Sequence, residues 1–226
     1  MNILGIETSS PVCSVGFVND QGLSIERSIV DAHIHSEKLL TLLGEVLRQA
    51  EGDLGILDAI AVSIGPGSFT GLRIGLSTAK GLCYSLDNKL IAVSTFDAIA
   101  RAVQESKSAT SRINIVIDAK QGEFYFGTTD LKKVDDLSPM NVQTRHLEGI
   151  PWSEYSNDST VWITDRPEVI RSFGIPSEII REYSSFCRGD AVARLAIGKY
   201  TRNELADIAS LEPKYLKEFL VKTATT

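Results

Sequence analysis

DAIAVSIGPGSFTGLRIGLSTAKGLCY, residues Asp58 to Tyr84, divides into a strand, a turn and a helix. Ala59 to Ile64 is a short apolar run rich in β-formers, the length of a buried strand. Gly65-Pro66-Gly67 can neither extend a strand nor open a helix, so the chain turns there. Ser68 or Thr70 supplies an oxygen that caps the helix to follow. That helix holds Gly71, Gly75 and Gly81, each costing about 1 kcal/mol relative to alanine. Gly71, Gly75 and Ala79 lie four apart and so form one smooth face. Such a face has three readings: close packing within the fold, close packing against a partner, or a phosphate-binding turn at a helix N-terminus.

Before this stretch, Asn2–Ile6, Cys13–Val18 and Leu23–Ile29 read as three strands with short connections, an antiparallel meander. Ser36 is placed to cap an amphipathic helix carrying Leu39, Leu40, Leu42, Leu43, Val46 and Leu47, which Glu51-Gly52 ends. After it come a strand at Lys89–Val93 and a helix at Phe96–Val103. Gln104–Ser111 is polar and marks a boundary, giving subdomains 1–106 and 107–226. Beyond it Ile113–Ile117 is a strand, Asp118–Gly122 a turn and Glu123–Thr128 its partner. A strand running into an acidic residue and a hairpin thus occurs at both Glu7 and Asp118, a weak internal repeat. Further on, Thr160–Thr164 reads as a strand, and Pro167–Phe173 and Ala191–Tyr200 as helices. The tail, Pro213–Lys222, is expected to return to the first subdomain as a helix.

The chain has 226 residues, 43% hydrophobic and 23% charged, ordinary for a globular α/β protein. No apolar run reaches the length of a membrane span, and MNILGIETSS lacks the features of a signal peptide. A cytoplasmic protein is expected, with its three scattered cysteines reduced. Net charge of −6 disfavours direct nucleic-acid binding. His33 and His35 alone do not make a metal site, and no HExxH, CxxC, P-loop or GxSxG motif is present. Glu7 and Asp118 each have two readings. Either carboxylate could hold hydrated magnesium beside a phosphate, or accept the N–H groups of its own turn.

ILGIETSS (Ile3–Ser10), HSEKLL (His35–Leu40), LDAIAVSIGPGSFTGLRIGLSTAKGL (Leu57–Leu82) and IDAKQGEFY (Ile117–Tyr125) together resemble the TsaB family, also called YeaZ. Beyond Tyr125 the resemblance rests on length and the PKYLKE tail. It implies the actin-like ATPase fold (sugar kinase/Hsp70/actin, RNase H-like), with two related subdomains of mixed sheets and flanking helices. It implies a role in N6-threonylcarbamoyladenosine (t6A) modification of tRNA adenosine 37, beside a larger paralogue, TsaD, and a small ATPase, TsaE. TsaD carries the metal and performs the transfer. Here Ser94-Thr95-Phe96-Asp97-Ala98 stands where that enzyme has a metal-binding histidine pair, and no Gly-Gly dipeptide offers an adenosine cradle. The resemblance therefore implies a non-catalytic partner with no cofactor of its own, ATP and metal belonging to the partner proteins, and tRNA reached only through the complex. It places a pairing surface, for TsaD or a second copy, at Phe69, Gly71, Leu72, Gly75, Leu76 and Ala79, with His35 beside them. Glu7, Thr8, Ser9 and Asp118 would be a vestigial nucleotide or phosphate site. The alternatives are an ATP-dependent kinase or ATPase using Glu7 and Asp118, and last a metallopeptidase.

Overall fold

The computed structural model describes residues 1–31, 34–106, 110–134, 139–155 and 159–216. Its first five strands are β1 (Asn2–Glu7), β2 (Val12–Asn19), β3 (Ser24–Val30), β4 (Ala59–Ser63) and β5 (Lys89–Val93). They form one sheet in the order β3-β2-β1-β4-β5, with β1 to β3 antiparallel and β4 and β5 parallel to β1. The second five are β6 (Arg112–Lys120), β7 (Glu123–Asp130), β8 (Val142–His146), β9 (Thr160–Thr164) and β10 (Ile180–Glu182). Their order, β8-β7-β6-β9-β10, repeats that pattern strand for strand. The repeat seen at Glu7 and Asp118 is thus a duplication of topology. Helices α1 (His35–Gln49), α2 (Phe69–Leu86), α3 (Thr95–Glu105), α4 (Pro167–Ser172) and α5 (Gly189–Thr201) complete the chain.

Local chemistry explains most boundaries. Ser68 Oγ caps α2 by accepting from Gly71 N at 3.2 Å, and Ser94 does the same for α3. Ser36 does not cap α1. The helix opens two residues earlier than such a cap would place it, with Ile34 at the cap position and no side-chain cap; its carbonyl takes the first N–H groups, from Glu37 and Lys38. Glu51 adopts the left-handed conformation just past α1, and Gly52 N closes back on Leu47 O. In the second hairpin β6 continues past Asp118 through a bulge, so the tight turn is Gln121-Gly122, both at positive φ.

Two strands escape the sequence reading. β8 is VQTRH and β10 only IRE, each too polar or too short to show alternation. The placement of α5 departs from the contiguous division at residue 107. Its face of Val192, Ala193 and Ala196 packs with Ile3, Val18, Ala59, Ile91 and Val93 of the first sheet. Gly189 lies against the backbone of Gly16 and Gly5, where any side chain would collide. The segment after it stays with that sheet: Ala206 bridges to Leu90, and Lys214 N donates to Ile64 O at 2.7 Å. This return holds turns but no helix as far as Leu216, so the expected tail helix is not formed there; residues 217–226 lie outside the described residues. So does His33.

Candidate functional site

β1 delivers Glu7 to its carboxyl end, and the chain then turns through Thr8, Ser9 and Ser10, all four buried. Glu7 Oε1 accepts from Ser9 N at 2.6 Å and from Ser9 Oγ at 2.5 Å. Since that hydroxyl proton is spent on Glu7, Tyr183 OH, 3.2 Å away, is the donor to Ser9 Oγ. Burial pushes the Glu7 carboxyl above its ordinary range, and the Ser9 bonds oppose the shift. Burial likewise drives the Tyr183 phenol and the Cys187 thiol well upward. These two belong to a buried cluster that also holds Val12, Phe96, Ile99, Ile113, Ile115 and Ile117. Side chains of the second sheet thus share one buried cluster with Val12, which follows the Glu7 turn.

The glycine face of α2 lies directly on this turn. A Cβ at Gly67 would collide with Ser9 O, at Gly71 with Thr8 O, and at Gly75 with Thr8 Oγ1. Ser68 N donates to Ser9 O at 2.6 Å. Thr8 Oγ1 itself is buried with no hydrogen-bond partner. Gly71, Leu72, Gly75, Leu76 and Ala79 are all buried within their own chain, so they do not form the exposed pairing surface expected of them. The glycines let α2 approach the β1 turn at backbone distance, the first of the three readings. Phe69 is half-buried, 5.1 Å from the Tyr215 ring and under the Arg73 guanidinium. His35 is buried too: its Nε2–H lies 2.9 Å from Ser10 O and 3.2 Å from Val12 O and donates to both carbonyls. It ties α1 to the β1–β2 connection and is no part of an outer face.

What α2 does expose is the opposite stripe. Arg73, Ser77, Gly81 and Tyr84 face outward, with Tyr84 83% exposed. A Cβ at Gly81 would meet nothing. α1 packs beside α2 and contributes Leu40, 61% exposed, and the half-buried Gly44, where an added Cβ would also meet nothing. The signal was present in the sequence. Leu72, Leu76 and Cys83 share the face of Gly71 and Gly75, and an amphipathic helix turns its apolar stripe to the core.

Asp118 occupies the corresponding place in the second sheet, and its carboxylate is engaged. It accepts from Arg166 Nη2 at 2.8 Å, Lys120 Nζ at 3.1 Å and Lys120 N at 2.7 Å. Burial works against its ionisation, but these bonds win and hold it below the usual carboxylate range. Asp165 Oδ1 accepts the Asp118 N–H at 3.0 Å, and burial holds that carboxyl high. The structure brings Glu7, Thr8 and Ser9 together; Asp118 bonds within its own sheet. In the stretch Ser94–Ala98, Ser94 caps α3, Thr95 N donates to Gly65 O, and Asp97 accepts from Met140 N at 2.8 Å. Among the described residues no group of three or more His, Cys, Asp or Glu is arranged to hold a metal.

Comparison with known proteins fits this geometry. Residues 30–218 match the family model of TsaD, tRNA N6-adenosine threonylcarbamoyltransferase. The tRNA threonylcarbamoyladenosine biosynthesis protein TsaB of Escherichia coli is 28% identical over 193 residues, 85% of this chain and 70% of that protein. Its namesake in Haemophilus influenzae is 32% identical over 134 residues, 59% of this chain and 56% of that protein. The crystal structure of YeaZ from Pseudomonas aeruginosa superposes with a TM-score of 0.77 at 25% identity, covering 95% of this chain and 99% of that one. The activator of 2-hydroxyisocaproyl-CoA dehydratase from Clostridium difficile, solved with bound ADPNP, shares the fold alone, at a TM-score of 0.51 and 9% identity over 93% of this chain and all of that one. The duplicated mixed sheets with flanking helices are the actin-like ATPase fold. The chain belongs to the family that the TsaD model describes, and within it to the TsaB (YeaZ) group.

Proposed function

We propose that this chain takes part in t6A formation on tRNA as a non-catalytic, cytoplasmic partner that stabilises and activates a TsaD-like threonylcarbamoyltransferase. The observation that carries the reading is the state of the Glu7 turn. Its carboxylate is spent on Ser9, α2 lies on its backbone, and Tyr183 closes its far side. The turn is here part of the core, while among the described residues the outer stripe of α1 and α2 stays uncovered. Pairing with the enzyme, or with a second copy, runs through that stripe and not through Gly71 and Gly75. ATP, metal and tRNA are then handled by the enzyme and a TsaE-like ATPase. The kinase-like reading rests on the fold alone. The test is to purify the chain with a TsaD-like protein and reconstitute the modification with and without it. Full activity without the chain, or saturable ATP turnover by the chain alone, overturns the proposal.

A further inference from the structure

A second feature lies away from both the Glu7 turn and the α1–α2 face. Where α3, α5 and the end of β5 meet the segment around Met140, the structure encloses a cavity of about 470 Å³, within the size range of small-molecule sites. Its floor is apolar, with Val93, Ala100 and Leu195 from the first sheet's elements and Met140 from beyond β7. Its polar groups are unbalanced. Lys199, Lys214, Arg202, Arg194 and Arg101 line it against the two carboxylates of Asp97 and Glu204, in a chain whose net charge is −6.

Several of these groups have capacity to spare. Lys199 and Arg202 share the single carboxylate of Glu204, at 3.4 and 2.5 Å. Arg194 Nε lies 3.2 Å from Glu105, which Arg101 also engages at 2.8 Å, and has no aligned acceptor among the described residues. Lys214 has no ion-pair partner among the described residues, and its charge and that of Lys199 both act on Asp97. Asp97 Oδ1 accepts from Met140 N and the Ser94 hydroxyl also bonds to this carboxyl; a carboxylate has about four lone-pair sites, so Asp97 keeps acceptor capacity on the cavity lining. Burial raises the Asp97 carboxyl above its usual range, opposed by Met140, Ser94 and the two lysines.

We propose that this cavity binds a small organic dianion bearing a hydroxyl group, its charged head held by Lys199, Lys214 and Arg194 and its hydroxyl donated to Asp97. Charge-assisted bonds to an oxyanion are the strong ones available here, and the remaining acceptor capacity of Asp97 selects a donor. Because Asp97 and Met140 come from the two halves of the fold, the bound ligand would also fasten one sheet's helices to the other sheet's loop. The head can be a phosphate or a dicarboxylate. Calorimetry and thermal shift on the full chain with glycerol 3-phosphate, malate and inorganic phosphate separate these. One hydroxylated probe should bind saturably at one site in the millimolar range or tighter and raise Tm, and inorganic phosphate more weakly. Lys199→Ala/Lys214→Ala, both on exposed or half-exposed stems, should weaken that probe by about tenfold or more with the unliganded Tm unchanged. Asp97→Asn keeps the acceptor for Met140 N but replaces the second oxygen by a donor. It should therefore weaken the hydroxylated probe and spare inorganic phosphate. No saturable binding of any probe, binding indifferent to the lysines, or inorganic phosphate binding as tightly as the hydroxylated probe would overturn the assignment.

Discussion

Glu7 is the residue on which the account turns, because burial outweighs the hydrogen bonds to this carboxyl and leaves a group whose charge the fold does not favour. Its folded pKa lies above the reference value of 4.5, so the folded chain holds this proton to higher pH than the unfolded chain. Stability from this group is complete below about pH 4.5 and is lost as pH rises through the folded value. Glu7→Gln keeps an acceptor for Ser9 and cannot ionise. Urea unfolding of both proteins from about pH 4.5 to neutrality should show the variant gaining on the wild type as pH rises. A difference that does not change with pH would mean that Glu7 is as well solvated when folded as when unfolded. Glu7 was legible in the sequence as an acidic strand end, and Asp118 as its counterpart, although β6 runs on to Lys120. Their fates were not, because Ser9 sits two residues from Glu7, whereas Tyr183 and Arg166 reach these turns from distant parts of the chain.

At the scale of the element, α2 has two small-residue faces with opposite fates. Gly75→Leu drives a side chain into Thr8, and overpacking of this kind costs about 1–3 kcal/mol. The isolated chain should lose that stability with no partner present, read as a lowered denaturation midpoint. An unchanged midpoint would mean that Gly75 faces outward after all. Gly81→Leu should leave the midpoint level or raise it, since the position is open and leucine is the better helix former. Strand, turn and helix could be read from Asp58 to Tyr84 because Gly65-Pro66-Gly67 and Ser68 act locally. Which glycine face goes inward is set by what lies beneath, the Thr8 backbone, and spacing alone does not show it. The same limit hid β8, whose Val142 and Thr144 are only half-buried.

For the whole molecule, the first sheet depends on residues that arrive last. Both sheets are complete at Glu182, yet α5 supplies the cover for β1, β2, β4 and β5. Chains ending at residue 106 or 188 should therefore fail to give a cooperative unfolding transition, because Ile3, Ala59, Ile91 and Val93 lose the helix that removes them from water. A cooperative, soluble 1–106 fragment would restore the contiguous division. That division was readable from the polar Gln104–Ser111 stretch, where one sheet does end and the next begin. The return of Gly189 onto Gly16 was not, since it needs three backbones brought together from distant sequence. The outcome of the duplication is a fold with its central turn filled and its α1–α2 surface open, and pairing through that surface is the central claim. The most direct measurement is size-exclusion and co-purification of Gly81→Leu/Tyr84→Ala with a TsaD-like protein, beside a melting curve of the variant alone. The account predicts lost pairing at an unchanged Tm; retained pairing by the folded variant would contradict it.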